Sequence, residues 1–152
     1  MEKSLAVAKA MSIMYKEMYH RDIDELKMHK LMYFAQRESF IRDNHSLLSE
    51  DFSGWKYGPV LLSVREEFSK PNPFSSVEAS VSDETLDLIS DVLQRYGDIS
   101  SWRLSVLSHE ELSWKISRNG LGPTDNGHKP LMPEAIKLDA IRESISRDKA
   151  LR

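Results

Sequence analysis

The chain has 152 residues, with 24 acidic and 21 basic side chains, a formal net charge of −3 and no cysteine. This length suits one domain, residues 1–152, that can bury a core without cross-links. The absence of cysteine excludes disulfides, thiolate zinc sites and cysteine nucleophiles. Acidic and basic residues are interleaved, so composition provides no large basic field for nucleic acid. Without a membrane-length apolar run or a secretory signal pattern, we expect a cytoplasmic protein with no membrane association.

Two helices are predicted at the start of the chain. Apolar residues recur at helical spacing from Val7 to Met18, which indicates an amphipathic first helix. Asp22 followed by Glu25 matches a capping box and predicts a second helix that runs to about Arg42. Residues 31–35 of that helix are apolar at successive positions and cover all its sides. We therefore expect the second helix to be central.

The segment that follows contains several structure-determining residues close together. Trp55 and Tyr57 alternate as in a short extended segment, Gly58 can sit where a side chain would clash, and Pro59 suits the first turn of a helix. This pattern predicts a helix, a tight corner and a second helix from Val60. We expect Trp55 to be largely buried at the corner.

The middle of the chain returns to helical spacing. Residues 86–96 predict a helix that ends at Gly97, a natural C′ residue, and residues 102–107 predict a shorter one. Ser108 with Glu111 forms a second capping-box pattern, so another helix should begin there.

A long connection and one more helix complete the chain. Residues 121–132 are too rich in proline and glycine for regular structure, and a loop of this length in a small domain is more often functional than average. Pro133 is expected to open a last helix, with Ile136, Ala140 and Ile141 facing inward.

These elements define the predicted fold class. Helical spacing dominates, whereas alternation that suits a strand extends over only a few residues. The prediction is a mainly α, single compact multi-helix domain with at most a short β element around residues 52–57 or 77–81.

The nearest pattern to a catalytic pair is His109-Glu110. A metalloprotease helix would need a second histidine at position 113, where Ser113 stands. We therefore predict a packing role for His109, which can donate a hydrogen bond to a backbone carbonyl from a half-buried position. The six glycines show no phosphate-loop spacing, so no catalytic residue, metal site or cofactor is predicted.

Basic residues on two helices were weighed as a nucleic-acid site. Lys27, Lys30 and Arg37 lie near one another on the second helix, and Lys115 and Arg118 share a face of a later one. Such groups usually form a solvated face, and no recognition helix carries the basic and amide side chains that read base edges. Nucleic acid is an unlikely partner on this pattern.

Three spaced motifs resemble the Panacea domain, the SocA-like antitoxin family. They are residues 30–36, residues 55–60, and Ser108-His109-Glu110 with Trp114, within a similarity that runs from Val7 to about Ile136. Three positions depart from the family pattern: Leu62, Arg65 and Ser113, where the family often has proline, tyrosine and proline. The motif residues, mostly structural in role, are Lys30, Tyr33, Gln36, Trp55, Tyr57, Gly58, Pro59, His109, Glu110 and Trp114.

The resemblance implies a binding protein and no enzyme. Panacea-like proteins are antitoxins that neutralise a toxin encoded beside them by direct protein contact, and one type also hands its toxin to a protease. The implied partner is a cognate toxin, with a protease in addition for an adaptor-like member. The alternative is a phage or mobile-element accessory protein of the same fold that binds another host protein. A small toxin-like gene directly adjacent would favour the antitoxin.

The loop from 121 to 132, with exposed parts of the second helix, is our predicted partner interface. Loops on a helical scaffold are frequent binding elements, and Met28 lies off the face that Leu31 and Phe34 define. The alternative to an interface, a loop that simply packs over the core, has equal weight. The candidate interface residues are Lys27, Met28, Leu121, Thr124, Asp125, Asn126, His128 and Leu131.

Overall fold

Helices dominate the computed structural model, which describes residues 1–151. Over those residues the chain forms seven helices and two short strands, in the order α1 Ser4–Tyr19, α2 Glu25–Asp43, β1 Ser53–Trp55, β2 Gly58–Val60, α3 Leu62–Phe68, α4 Asp83–Tyr96, α5 Ser101–His109, α6 Leu112–Ser117 and α7 Pro133–Ala150. The mainly α fold class is confirmed. None of these helices is long and apolar enough to cross a membrane.

The central position predicted for α2 is also confirmed. Residues 31–35 are almost completely buried, and α2 packs against α1, α3, α4, α5, α7 and β2. Its N-cap is Asp24, whose side chain accepts a hydrogen bond from Lys27 N at 2.8 Å. The predicted cap, Asp22, instead pairs with Lys16 at the surface. The capping prediction was two residues early because Glu25 is already the first residue of the helix.

The predicted corner is a β-hairpin. β1 and β2 pair antiparallel, with Ser53 opposite Val60, and Lys56 and Tyr57 form the turn between them. Gly58 has φ 121°, a conformation that side chains disfavour. Pro59 lies inside β2 and does not open a helix, so this part of the prediction was wrong.

Two further expectations around the hairpin concern Trp55 and residues 77–81. Trp55 is mostly covered, with its indole Nε1 enclosed, which agrees with the largely buried position that we expected. Residues 77–81 form no strand. Their alternating apolar side chains have no neighbouring strand to pair with.

Residues 121–132 form an irregular loop that runs along the free edge of β1. Gly54 N donates to Lys129 O at 2.9 Å, and Leu131 N donates to Phe52 O at 2.8 Å. These bonds fix the last part of the loop against the hairpin and bury Leu131.

The boundaries of α5 and α6 differ from the predicted capping box. Ser108 lies within α5, where its hydroxyl donates to Ser105 O at 3.0 Å, so it does not cap the next helix. α6 begins at Leu112, and its first turn is capped by Asp139 from α7. A local pattern could not reveal a cap supplied by another helix.

The structure differs from the prediction at Gly97 and at Ile141. Gly97 has φ −61°, so it is not a left-handed C′ residue. A side chain there would meet the Tyr19 ring at 2.6 Å, which explains the need for glycine. Ile136 and Ala140 of α7 face the core as predicted, but Ile141 is 55% exposed because α7 presents it on the opposite side.

Candidate partner-binding surface

The motif residues of α2 hold the segments around them by polar bonds. Lys30 Nζ donates to Tyr57 O and so fixes the hairpin turn to α2. Burial lowers the pKa of Lys30 to about 8. Gln36 Oε1 accepts from Leu47 N at 2.9 Å and Leu48 N at 3.0 Å. These side chains therefore hold the hairpin turn and the segment before the hairpin in place.

Tyr33 is the centre of a buried polar network between α2, α6 and α7. Its hydroxyl lies 3.1 Å from Glu111 Oε2, 3.1 Å from Ser113 Oγ and 2.9 Å from Asp139 Oδ2. Asp139 also accepts from Leu112 N at 2.7 Å and from Ser113 N at 3.0 Å. One carboxylate thus satisfies the first N–H groups of α6 and positions the Tyr33 hydroxyl.

Arg37 continues this network towards α4. Its guanidinium donates to Glu111 Oε1 at 2.6 Å and to Tyr96 OH at 2.7 Å. Burial raises the pKa of Glu111 to about 7, and the Arg37 charge only partly opposes this rise. A protonated Glu111 can donate to Tyr33, whose own proton then serves Asp139, so the acid form satisfies both bonds.

The basic residues of α2 do not form the solvated face that we predicted. Lys27, Lys30 and Arg37 are 5%, 1% and 4% exposed. Lys27 Nζ donates to Gly97 O at 2.9 Å. The prediction was wrong because the partners of all three lie far along the chain, and α2 therefore offers no basic surface for nucleic acid.

The motif residues near the hairpin have a packing role. His109 stacks on Trp114, with ring centroids 4.2 Å apart and an interplanar angle of 3°. Trp114 Nε1 donates to Trp55 O at 2.8 Å. Glu110 is exposed and lies 3.8 Å from Lys115. In residues 1–151, no three histidine or acidic side chains lie together as metal ligands.

The structure separates the predicted interface residues into two groups. Lys27, Met28 and Leu131 are buried, so the expectation of an exposed patch at the start of α2 was wrong. Met28 lies three residues before Leu31 and so shares a helix face with it, and the elements packed around α2 cover both. The group at the surface consists of half-buried Leu121 and exposed Thr124, Asp125, Asn126 and His128.

These loop residues lie beside the hairpin. Gly127 packs against Gly54 of β1, where an added side chain would meet the Gly54 carbonyl at 2.5 Å. Tyr57 in the hairpin turn is 65% exposed, and Lys56 Nζ lies 5.2 Å from the centre of its ring. We call this the hairpin–loop surface, and its residues are Lys56, Tyr57, Thr124, Asp125, Asn126 and His128.

Arg118 makes the loop part of this surface rigid. Its guanidinium donates to Gly54 O at 3.2 Å, Gly122 O at 2.9 Å and Asp125 O at 2.6 Å. The Asp125 carboxylate accepts in turn from Gly122 N at 2.8 Å. The exposed tip is thereby held in one conformation between two anchored ends.

Sequence analysis did not identify which aromatic residues are exposed. Trp102 on α5 is 73% exposed, and Tyr57 was considered only as part of the corner. A two-residue connection between alternating segments indicates a hairpin, and its turn residues point to solvent. That signal could have revealed the exposure of Tyr57.

A cavity of about 330 Å³ opens between α4, α5 and α7 above the buried network. Its charged lining includes Arg37, Glu111 and Arg142. Arg37 is paired with Glu111, and Arg142 donates to Glu110 O at 2.7 Å. These charged groups are therefore engaged with protein partners, whereas Arg37 Nε has no hydrogen-bond partner among the described residues.

Comparison with protein families gives one result. The model of the family described as "Antitoxin SocA-like, Panacea domain" matches residues 28–115, more than half of the chain. Comparisons with curated proteins and with solved structures found no match. The matched range contains α2 from Met28 onward, the hairpin and the His109–Trp114 stack, where all three sequence motifs lie. The chain therefore belongs to the SocA-like antitoxin family with the Panacea domain.

Proposed function

We propose that this chain is an antitoxin that neutralises a cognate toxin by direct protein contact, without catalysis of its own. The observation that carries the proposal is the family match over residues 28–115. The structure supports binding over catalysis, because Lys30, Tyr33 and His109 are engaged in packing and hydrogen bonds within the fold. The polar motif residues therefore act as supports for a surface.

The hairpin–loop surface is the contact site that we propose. Tyrosine is enriched among residues that dominate binding energy, and Tyr57 is exposed on a turn that Lys30 holds in place. Arg118 ties the loop tip at Asp125 to Gly54 of the same hairpin, so a partner would lose little conformational entropy on binding there. Thr124, Asn126 and His128 supply polar groups at the edge of the site.

The first test is co-expression with the product of the neighbouring gene in a growth-rescue assay. The wild-type chain should restore growth and bind that product in calorimetry. Tyr57→Ala should weaken the affinity about tenfold or more, because it removes an exposed aromatic anchor. Tyr57→Phe, which keeps the ring, should bind nearly as well as the wild type.

Trp102→Ala provides the matched control, since Trp102 is an equally exposed aromatic side chain on α5. We expect it to leave toxin affinity unchanged. If Trp102→Ala loses affinity and Tyr57→Ala does not, the contact site lies on α5 and the hairpin–loop proposal fails, although the antitoxin proposal stands. If the wild type neither binds nor rescues, the antitoxin proposal fails, and the accessory protein with another host partner becomes the better hypothesis.

Delivery of the toxin to a protease is a separate property of an adaptor-like member. It would shorten the lifetime of the toxin in cells that contain the antitoxin. A pulse-chase measurement of toxin with and without this chain distinguishes neutralisation by binding alone from neutralisation by degradation.

A further inference from the structure

α7 carries an apolar stripe on the side that faces away from the core. Leu138, Ile141 and Ile145 are 52%, 55% and 52% exposed, whereas Ile136 and Ala140 are buried. Spacings of three and four residues keep the exposed three on one face of a helix. The stripe is about 10 Å long, given a rise of about 1.5 Å per residue. It lies outside the range that the family model matches.

Opposite charges lie at the two ends of the stripe. Glu134 lies four residues before Leu138, and Lys149 lies four residues after Ile145, so each charge is next to an end of the stripe on the helix surface. Both side chains are exposed, and neither has an ion-pair partner in the part of the chain that the structure describes. The stripe therefore has an acidic end and a basic end.

This order makes the stripe complementary to itself in the antiparallel direction. If two copies of α7 pair about a twofold axis beside Ile141, Leu138 of each copy lies opposite Ile145 of the other. The same register places each Glu134 opposite Lys149 of the second copy. We propose that this chain forms a homodimer through antiparallel pairing of its α7 helices.

A second copy fits this surface because one axis matches both the apolar residues and the charges. Such a patch, which contacts the same patch on its copy, is the usual basis of a twofold dimer. A parallel pairing would instead bring Glu134 against Glu134. Arg142 lies close to the proposed axis, but its guanidinium is held 2.7 Å from Glu110 O and 3.9 Å from Asp139 Oδ1. The hydrogen bond to Glu110 O directs the Arg142 guanidinium away from Arg142 of the second copy.

The size of the stripe predicts a weak dimer. Standard stable interfaces bury about 800 Å² on each partner. A single helix pair with three apolar residues on each side buries an area at the lower limit for a stable interface. We therefore expect a concentration-dependent equilibrium between monomer and dimer. The proposal is independent of the antitoxin proposal.

Sedimentation velocity of the full chain, from about 1 to about 100 µM, tests the proposal. The wild type should shift from monomer towards dimer over this range. Glu134→Lys and Lys149→Glu should each remain monomeric, because like charges then meet twice across the axis. An equimolar mixture of these two variants should form a heterodimer, since one copy then carries two basic ends and the other two acidic ends.

Ile141→Glu should also abolish the dimer, whereas Leu62→Glu, at an equally exposed residue of α3, should not. Melting temperatures close to that of the wild type confirm that each variant is folded. A wild type that stays monomeric at the highest concentration overturns the proposal, as does a mixture of charge variants that fails to associate. If the wild type is monomeric and Ile141→Glu loses toxin affinity, the stripe belongs to the toxin interface and the homodimer is excluded.

Discussion

Glu111 shows how burial changes the chemistry of a single residue in this fold. Its carboxyl group is enclosed between Arg37, Tyr33 and Asp139, and its pKa rises from the ordinary value of 4.5 to about 7. At a pH between these two pKa values, the folded protein holds a proton on Glu111 that the unfolded chain has lost. The free energy of unfolding must therefore fall as the pH rises from about 4.5 to about 7.

Glu111→Gln should remove this dependence. Glutamine keeps a donor towards Tyr33 and an acceptor towards Arg37, but it has no proton to lose. We expect the wild type to lose up to about 3 kcal/mol relative to the variant over this pH range. Urea denaturation at several pH values from 4.5 to 7.5 measures the difference. Glu110→Gln, an exposed neighbour, is the control, and parallel curves for the wild type and Glu111→Gln would contradict the prediction.

Single residues also show what sequence reasoning could not reach. The side chains of Lys27, Lys30 and Arg37 are charged and lie near one another on one helix, which favoured a solvated face. Each instead meets an acceptor from a segment at least 27 residues away, such as Tyr57 O for Lys30. A pattern along one helix cannot show such partners. By contrast, the turn-forming composition of residues 121–132 correctly predicted a loop without regular structure.

At the scale of elements, α6 depends on α7 for its start. Its N-cap residue, Glu111, makes no side-chain cap bond. Instead, Asp139 of α7 accepts hydrogen bonds from Leu112 N and Ser113 N across the interface between the two helices. A six-residue helix has little stability of its own, because forming the first turn is costly. The cap from α7 therefore determines whether α6 forms.

Asp139→Asn should destabilise the fold by about 1–2 kcal/mol, the usual cost of an impaired cap. Its amide has one oxygen, so it can serve only one of the two N–H groups and turns a donor towards the other. Hydrogen exchange should quicken at the Leu112 and Ser113 amides before it does in α2. Glu134→Gln, an exposed acid of the same helix, should stay within about 0.5 kcal/mol of the wild type. Unchanged exchange at both amides would show that the cap lies elsewhere.

Sequence periodicity located every long helix, and its errors in placing the elements fall at their ends. The interiors of α2 and α4 carry apolar spacings that admit no other structure. The starts of α2 and α6 were misplaced because Asp22 and Ser108 are each capable of capping and only tertiary contacts decide which residue does so. The hairpin was predicted as a corner because Pro59 suits a helix start as well as a strand position whose N–H is not needed for pairing, such as its place opposite Gly54.

At the scale of the whole molecule, the hydrophobic core extends beyond the residues that the family model matches. α7 begins after residue 115, yet it contributes Ile136 and Ala140 to the core. Its Arg147 also forms a two-point ion pair with buried Glu38 of α2, at 3.0 and 2.8 Å. Without α7, Glu38 would be left without this partner, which is costly for a buried charge.

Removal of residues 133–152 should therefore abolish cooperative thermal unfolding, measured by circular dichroism at 222 nm. Removal of residues 149–152 alone is the matched control, and it should retain the melting transition because Lys149, Ala150 and Leu151 are exposed. A chain of residues 1–132 that melts as sharply as the wild type would show that the matched region folds without α7.

The bonds between residues 129–131 and β1 bear on aggregation. A strand edge with free N–H and C=O groups is a template to which other chains can add. Here Gly54 N and Phe52 O, on the outer side of β1, are already bonded to Lys129 O and Leu131 N. The loop thus closes an edge that would otherwise recruit neighbouring chains. Replacement of the whole loop would expose that edge and cause losses unrelated to toxin binding, whereas substitutions at Thr124 and Asn126 leave the edge closed.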